Sequence, residues 1–126
     1  MNPATILVVD DEQLLRWALK KRLEKEGFQV LEAGSREEAE RRFGDREDVS
    51  LVLLDLHLPD GDGMQILREI KARSPQCHVI MMTAKYTPEA VLEATRGGAY
   101  RSVEKPFSLD EIARLVRTVL RPEKVA

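Results

Sequence analysis

Four apolar runs in this chain each lead into a residue able to bind charge. Ile6-Leu7-Val8-Val9 runs into Asp10 and Asp11, and Leu51-Val52-Leu53-Leu54 into Asp55. Val79-Ile80-Met81-Met82 runs into Thr83, and residues 99–103 lead to Lys105. Short continuous apolar runs are the pattern of strands buried on both faces. If each run is a parallel strand, these groups all emerge at one edge of one sheet. The carboxyl edge of an open α/β sheet is where ligands bind. Three carboxylates, a hydroxyl and an ammonium collected there suit a hard cation and a phosphoryl group.

The segments between the runs read as helices. Residues 12–26 place Leu15, Leu19 and Leu23 on one stripe, and Gly27 is placed to end that helix. A second strand is expected over 28–33. Ser35-Arg36-Glu37-Glu38 then matches a capping box, with Ala39 and Phe43 on the inner face of a short helix. After a polar stretch at 44–48, residues 49–54 are apolar on both faces. Residues 58–63 read as a loop, and 64–73 as a helix with Ile66, Leu67 and Ile70 turned inward. Residues 78–82 form the fourth strand. Thr87-Pro88 is a cap followed by a first-turn proline, and the helix it opens ends at Gly97-Gly98. The fifth strand leads to Lys105-Pro106, and Ser108-Leu109-Asp110-Glu111 is a second capping box before the last helix. Five strand–helix alternations predict a doubly wound parallel sheet with right-handed crossovers. A strand order 2-1-3-4-5 places the switch point between strands one and three, which Asp10, Asp11 and Asp55 terminate.

At 126 residues the chain fits one domain, expected over 1–120, with 121–126 as a tail or the start of a linker. A net charge of −2 argues against direct nucleic-acid binding, which usually needs a basic face. Cys77 has no companion for a disulfide or a thiolate zinc site, and reads as a small buried hydrophobe. No signal-peptide pattern and no run near the ~20 apolar residues of a membrane span is visible, so a cytoplasmic location is expected.

Asp10-Asp11 alone suits a turn that opens a helix, because acidic groups favour helix N-termini. With Asp55 added, the carboxylates repel one another and raise their pKa values unless a cation neutralises them. Mg²⁺ takes oxygen ligands and keeps several waters, which fits such a site. Calcium prefers more protein oxygens. Asp60-Gly61-Asp62-Gly63 lacks the spaced acidic ligands and terminal glutamate of a calcium loop. Asp55 at a strand end can act as a nucleophile towards a phosphoryl group, giving an acyl phosphate. Lys105 and Thr83 would supply contacts to the phosphoryl oxygens. Singly, each of these residues suits an ordinary surface or strand-end role, and the specificity lies in the set.

The motifs Val8-Val9-Asp10-Asp11-Glu12, Leu54-Asp55-Leu56-His57-Leu58-Pro59-Asp60-Gly61, Met82-Thr83-Ala84 and Glu104-Lys105-Pro106-Phe107 carry a resemblance. Over residues 5–120 the chain resembles a receiver domain of bacterial two-component response regulators. The resemblance implies a flavodoxin-like (βα)5 fold and a phosphoacceptor regulatory domain rather than an enzyme. It implies that Asp55 accepts phosphate from a sensor histidine kinase. Asp11, Asp55 and the backbone carbonyl of His57 would hold Mg²⁺, with Asp10 helping through water. Thr83 and Lys105 would bind the phosphoryl oxygens, and the Lys105-Pro106 bond would be cis. Leu15-Arg16-Trp17 and Gly98-Ala99-Tyr100 are most similar to the NtrC-like branch, whose members join a receiver to an ATPase and a DNA-binding domain. That implies transcriptional regulation by the longer protein.

One position departs from the family pattern. An aromatic or histidine usually stands three residues before the lysine, and here that residue is Ser102. Tyr100 either takes over that switch role or is an exposed edge aromatic. His57 and Lys85, two residues after Asp55 and Thr83, either tune phosphate lifetime or are solvated side chains at a loop rim. Leu14, Leu15 and Ala18 lie in the first helix near the acidic edge, where the family docks kinase or phosphotransfer helices. Trp17 beside them is either an interface anchor or rests on the domain surface. The fourth helix, fifth strand and last helix form the face that usually changes on activation and often dimerises. Two other readings compete. A haloacid-dehalogenase-like hydrolase would need a second aspartate two positions after the nucleophile, where His57 stands. A phosphorylation-independent interaction module is favoured by Ser102 and opposed by the complete acidic pocket.

Overall fold

The computed structural model describes residues 3–44 and 46–121. The expected tail therefore lies, apart from Arg121, outside the described residues. The chain runs β1 (Thr5–Val9), α1 (Gln13–Lys25), β2 (Gln29–Ala33), α2 (Arg36–Gly44) and β3 (Val49–Asp55). It continues through β4 (His57–Leu58), β5 (Gly61–Asp62), α3 (Gly63–Arg73), β6 (His78–Thr83), α4 (Pro88–Arg96), β7 (Arg101–Glu104) and α5 (Leu109–Leu120). The five long strands form a parallel sheet in the order β2-β1-β3-β6-β7. Counted within that sheet, the order is the expected 2-1-3-4-5. The segment read as a plain loop carries instead a two-residue antiparallel ladder, His57 opposite Asp62 and Leu58 opposite Gly61. A four-residue turn can close such a ladder, and its short period leaves no signal in the hydropathy pattern.

The alternation of side chains along each strand builds two cores. Leu7, Val9, Val52, Leu54, Val79 and Met81 face one side, where Ala39, Phe43, Ile66, Leu67, Ile70 and Ala94 of α2, α3 and α4 cover them. Ile6, Val8, Leu51, Leu53, Ile80 and Met82 face the other, under Leu19 and Leu23 of α1 and Ile112 and Val116 of α5. The central strands β1, β3 and β6 are thus mostly apolar along their length because helices cover them on both sides, whereas the edge strands β2 and β7 carry Gln29, Glu32, Arg101, Ser102 and Glu104.

The helix boundaries follow from local hydrogen bonds. Thr87 accepts from Ala90 N at 3.1 Å with Pro88 at the first position of α4, and Ser108 accepts from Glu111 N at 3.0 Å to open α5. Ser35 accepts from Glu38 N at 3.2 Å, as expected, but the returning glutamate bonds Gly34 N at 2.6 Å rather than the serine's own amide. Gly27 and Gly98 take positive φ values of 97° and 102° after α1 and α4, the left-handed conformation that glycine adopts without a Cβ penalty. The fifth strand begins two residues later than residues 99–103 suggest, which leaves Tyr100 just outside the ladder.

Candidate functional site

β1 and β3 are adjacent, so the turns that leave their carboxyl ends open side by side. Asp10 is fully buried past the end of β1, and Asp55 closes β3 with only 5% of its surface exposed. Asp11 is exposed beside them. One carboxylate oxygen from each of Asp10, Asp11 and Asp55 lies within 4.8 Å of the others. Lys105, entering from the end of β7, places its ammonium 2.8 Å from Asp10 Oδ2 and 3.2 Å from Asp55 Oδ2. The exposed Glu12 carboxylate stands 3.6 Å from the same ammonium.

Each member is held by its neighbours. Asp10 Oδ1 accepts from Glu12 N at 2.8 Å, which fixes the turn into α1. Asp10 Oδ2 has the close ammonium as a charge partner but no aligned hydrogen bond, so this buried oxygen keeps accepting capacity. Asp55 Oδ1 accepts from His57 N at 3.1 Å. The Thr83 hydroxyl, buried at the end of β6, accepts from Lys85 N at 2.9 Å and retains its own proton for donation. Thr83 O accepts from Lys105 N at 2.8 Å, which ties the lysine's backbone to the strand carrying the threonine. The Lys105–Pro106 peptide is cis.

Burial pushes the Asp55 carboxyl above its ordinary pKa. The His57 N–H and the Lys105 charge work against that shift, and the Asp10 charge adds to it. Burial alone would lower the Lys105 ammonium, but its pairing with Asp10 and then with Asp55 outweighs burial and holds it above the usual lysine range. The site is a partly neutralised cluster of negative charge in a desolvated cleft, with more carboxylates than cations to balance them.

The match to known proteins follows this geometry. The family model for the response regulator receiver domain matches residues 6–117. The chain belongs to that family. It is 34% identical over 120 residues to the probable transcriptional regulatory protein TcrX of Mycobacterium tuberculosis, covering 95% of this chain and 51% of that one. It is 36% identical over 116 residues to the regulatory protein AtoC of Escherichia coli, covering 92% of this chain and 25% of AtoC. The chain thus spans about half or less of the length of these curated relatives. Among solved structures, a two-component response regulator from Clostridium difficile superimposes with a TM-score of 0.89 at 27% identity, over 94% of this chain and 96% of that one. DrrB of Thermotoga maritima, an OmpR/PhoB homologue, gives 0.86 at 31% identity over 97% and 54%.

The remaining receiver residues singled out from sequence lie around this edge or away from it. His57 and Lys85 are both exposed at its rim. Ser102 is half-buried in β7 opposite Met81, whereas Thr83 pairs with Glu104. Tyr100 lies at the far end of that ladder, its amide donating to Val79 O at 2.7 Å. Its ring is 46% exposed and meets His78 edge-on with centroids 5.8 Å apart. On α1, Leu14 is 82% and Trp17 56% exposed, while Leu15 and Ala18 are half-buried. Among the described residues no helix is long and apolar enough to cross a membrane.

Three residues at the site make contacts that the sequence reading assigns to none of them. Gly63 packs so closely on the end of β3 that a Cβ there would collide with Asp55 O and lie 2.8 Å from Leu56 Cα. Glu12 approaches Lys105, and Arg16 donates to the carbonyl of Asp10 at 2.7 Å. The Glu12–Lys105 approach depends on how distant segments meet, and the other two contacts on the geometry of the turns, information that a hydropathy pattern does not contain.

Proposed function

We propose that this receiver domain is a Mg²⁺-dependent phosphoacceptor switch in which Asp55 takes a phosphoryl group from a sensor histidine kinase. The observation that carries the reading is the convergence of Asp10, Asp11, Asp55 and Lys105 at the carboxyl edge of β1 and β3. In the transfer, an Asp55 carboxylate oxygen forms the new bond to phosphorus. The bond from phosphorus to the donor's imidazole nitrogen breaks, and the imidazole keeps the electron pair.

The donor set fits Mg²⁺: it is all oxygen, compact, and includes a buried carboxylate oxygen without an aligned hydrogen bond. Asp11, Asp55 and the His57 carbonyl would hold the ion, with Asp10 acting through water. Bound there, it offsets charge on the incoming phosphoryl oxygens. Lys105 exchanges its contact with Asp55 Oδ2 for a phosphoryl oxygen, and the Thr83 hydroxyl donates to another. Movement of Thr83 pulls on the strand it closes and, through the Thr83–Lys105 backbone bond, on the end of β7. A population shift on the face made by α4, β7 and α5 is the outcome passed on, including to a second copy of the chain.

The domain is read as residues 1–120 of a cytoplasmic regulator, with an output domain that controls transcription, in the NtrC-like manner an ATPase joined to a DNA-binding domain. Self-catalysed phosphotransfer and dephosphorylation are its only chemistry, and this chain makes no nucleic-acid contact of its own. The test is intact mass after incubation with acetyl phosphate and Mg²⁺, beside an Asp55→Asn variant and a metal-free control. One added phosphoryl group, absent from both controls, is expected. No adduct on the folded, promptly trapped wild type would instead favour a phosphorylation-independent module.

A further inference from the structure

We propose that Arg16 is a positioning residue for the acidic site: its guanidinium, braced by Glu32, fixes the peptide that joins Asp10 to Asp11. The inference rests on the Mg²⁺ reading given above. β1 leaves its ladder with β2 at Asp10, whose N–H still donates to Ala33 O at 3.0 Å. The carbonyl of the same residue lies beyond the ladder and takes its partner from α1, Arg16 Nη1 at 2.7 Å. The Nε of the same side chain donates to Glu32 Oε1 at 3.1 Å. Glu32 stands on β2 opposite Val8, and Lys20 approaches its second oxygen at 3.6 Å. One planar group thus links the helix, the neighbouring strand and the turn bearing the site.

The slot it occupies is kept open by the chain itself. A Cβ on Gly34 would lie 2.9 Å from Arg16 Nη1 and 3.5 Å from its Cζ. The Gly34 amide is bound separately by Glu38, so the turn after β2 holds its shape independently of the arginine.

The consequence falls on Asp11. Because the peptide is planar, holding the Asp10 carbonyl oxygen sets the direction of the Asp11 N–H and of the chain that follows. The Asp10 side chain is already tied through Glu12 N and Lys105. Among the described residues no side chain or amide hydrogen-bonds the Asp11 carboxylate, so its place within 4.8 Å of the others comes from the backbone. A guanidinium fork is suited to the task, since it makes two charge-assisted bonds in one plane.

The test is the Mg²⁺ dissociation constant, measured by calorimetry for wild type, Arg16→Ala, Arg16→Lys and Glu32→Gln, with thermal unfolding in EDTA beside it. Arg16→Ala is expected to weaken Mg²⁺ binding about tenfold or more, the usual scale for a residue that orients a ligand. Loss of a nearby cation would by charge alone strengthen binding, so the sign separates positioning from electrostatics. Arg16→Lys should recover part of the loss, because an ammonium reaches one acceptor but not both in a fixed plane. With acetyl phosphate, the Mg²⁺ concentration for half-maximal rate should shift by the same factor while the rate at saturating Mg²⁺ stays within about threefold of wild type. Unchanged Mg²⁺ affinity in folded Arg16→Ala overturns the inference. If that variant does not fold, unchanged affinity in both Arg16→Lys and Glu32→Gln overturns it. A wild type that binds no Mg²⁺ overturns the functional reading as well.

Discussion

Asp55 is a carboxylate that burial works against, and what offsets the cost is a short set of contacts: one amide, one ammonium, and a cation if present. The exposed His57 and Lys85 have no such task, and under the proposed function they stand where they would affect the exit of the phosphoryl group. Exchange of His57 or Lys85 to alanine is expected to change the dephosphorylation rate and leave phosphorylation intact. Following the decay of the phosphorylated mass checks this, and loss of phosphorylation in both variants would sink it. Away from the site, Cys77 sits buried before β6, and burial pushes its thiol up to about 11. At pH 8 the native thiol should therefore resist alkylation relative to the unfolded chain. The folded pKa is the higher one, so its contribution to stability is fully present below pH 9 and is lost as pH rises through about 11. The denaturant midpoint of wild type should fall across that window more steeply than that of Cys77→Ala. Equal slopes would refute the assignment. At this scale the meeting of Asp10, Asp11, Asp55 and Lys105 at one sheet edge was legible because each follows an expected strand. Arg16 was not, because its role depends on β2 lying beside β1 and on Glu32 facing the helix.

The elements show how local chemistry and long-range packing divide the work. The caps at Thr87 and Ser108 are written in the sequence as residue types at fixed spacing, and both side chains accept the amide three residues on, although among the described residues Glu111 makes no return bond to Ser108 N. The start of α2 is different. Its first amides, Arg36 N and Glu37 N, donate to the Asp60 carboxylate at 2.7 and 3.0 Å, across 24 and 23 residues of chain. A helix start satisfied from another loop is invisible to a reading that looks only at neighbours. The Arg36 side chain continues the link to Gln65 at 2.8 Å on α3. Just after that loop, Gly63 at the start of α3 packs on the end of β3, where the atoms a Cβ would meet are backbone and have little room to give. Gly63→Ala is expected to destabilise the domain by about 1–3 kcal/mol, the usual cost of overpacking, and to slow phosphorylation by shifting Asp55. Urea unfolding with the acetyl phosphate assay measures both. An unchanged midpoint would mean that the two segments separate without cost.

For the whole molecule, the sheet order is what makes a site out of scattered residues. β1 and β3 are neighbours because the chain crosses to one side for β2 and returns to the other, so the acidic turns open together. Five alternations of strand and helix imply a doubly wound parallel sheet, and the order 2-1-3-4-5 expected for it was legible beforehand. The position of Tyr100 was not, since the start of β7 depends on its ladder with β6 rather than on its own residues. Beside the site, Leu14 and Trp17 form an exposed apolar pair on α1, and the helix needs neither for its own packing, which uses Leu19 and Leu23. If this end receives the kinase, Leu14→Asp should slow transfer from the phosphorylated kinase at least about tenfold, the scale of a buried interface anchor. Transfer from acetyl phosphate should be unchanged. Equal slowing with both donors would place the defect in the site instead. The central claim is that Asp55 is the acceptor, and borohydride trapping tests it most directly. An acyl phosphate is reduced by borohydride to the alcohol, and peptide mass spectrometry then reads its position. Reduction at Asp55 alone, dependent on Mg²⁺ and acetyl phosphate, is the predicted result, and reduction at Asp10 or Asp11, or at no carboxylate, would contradict the account.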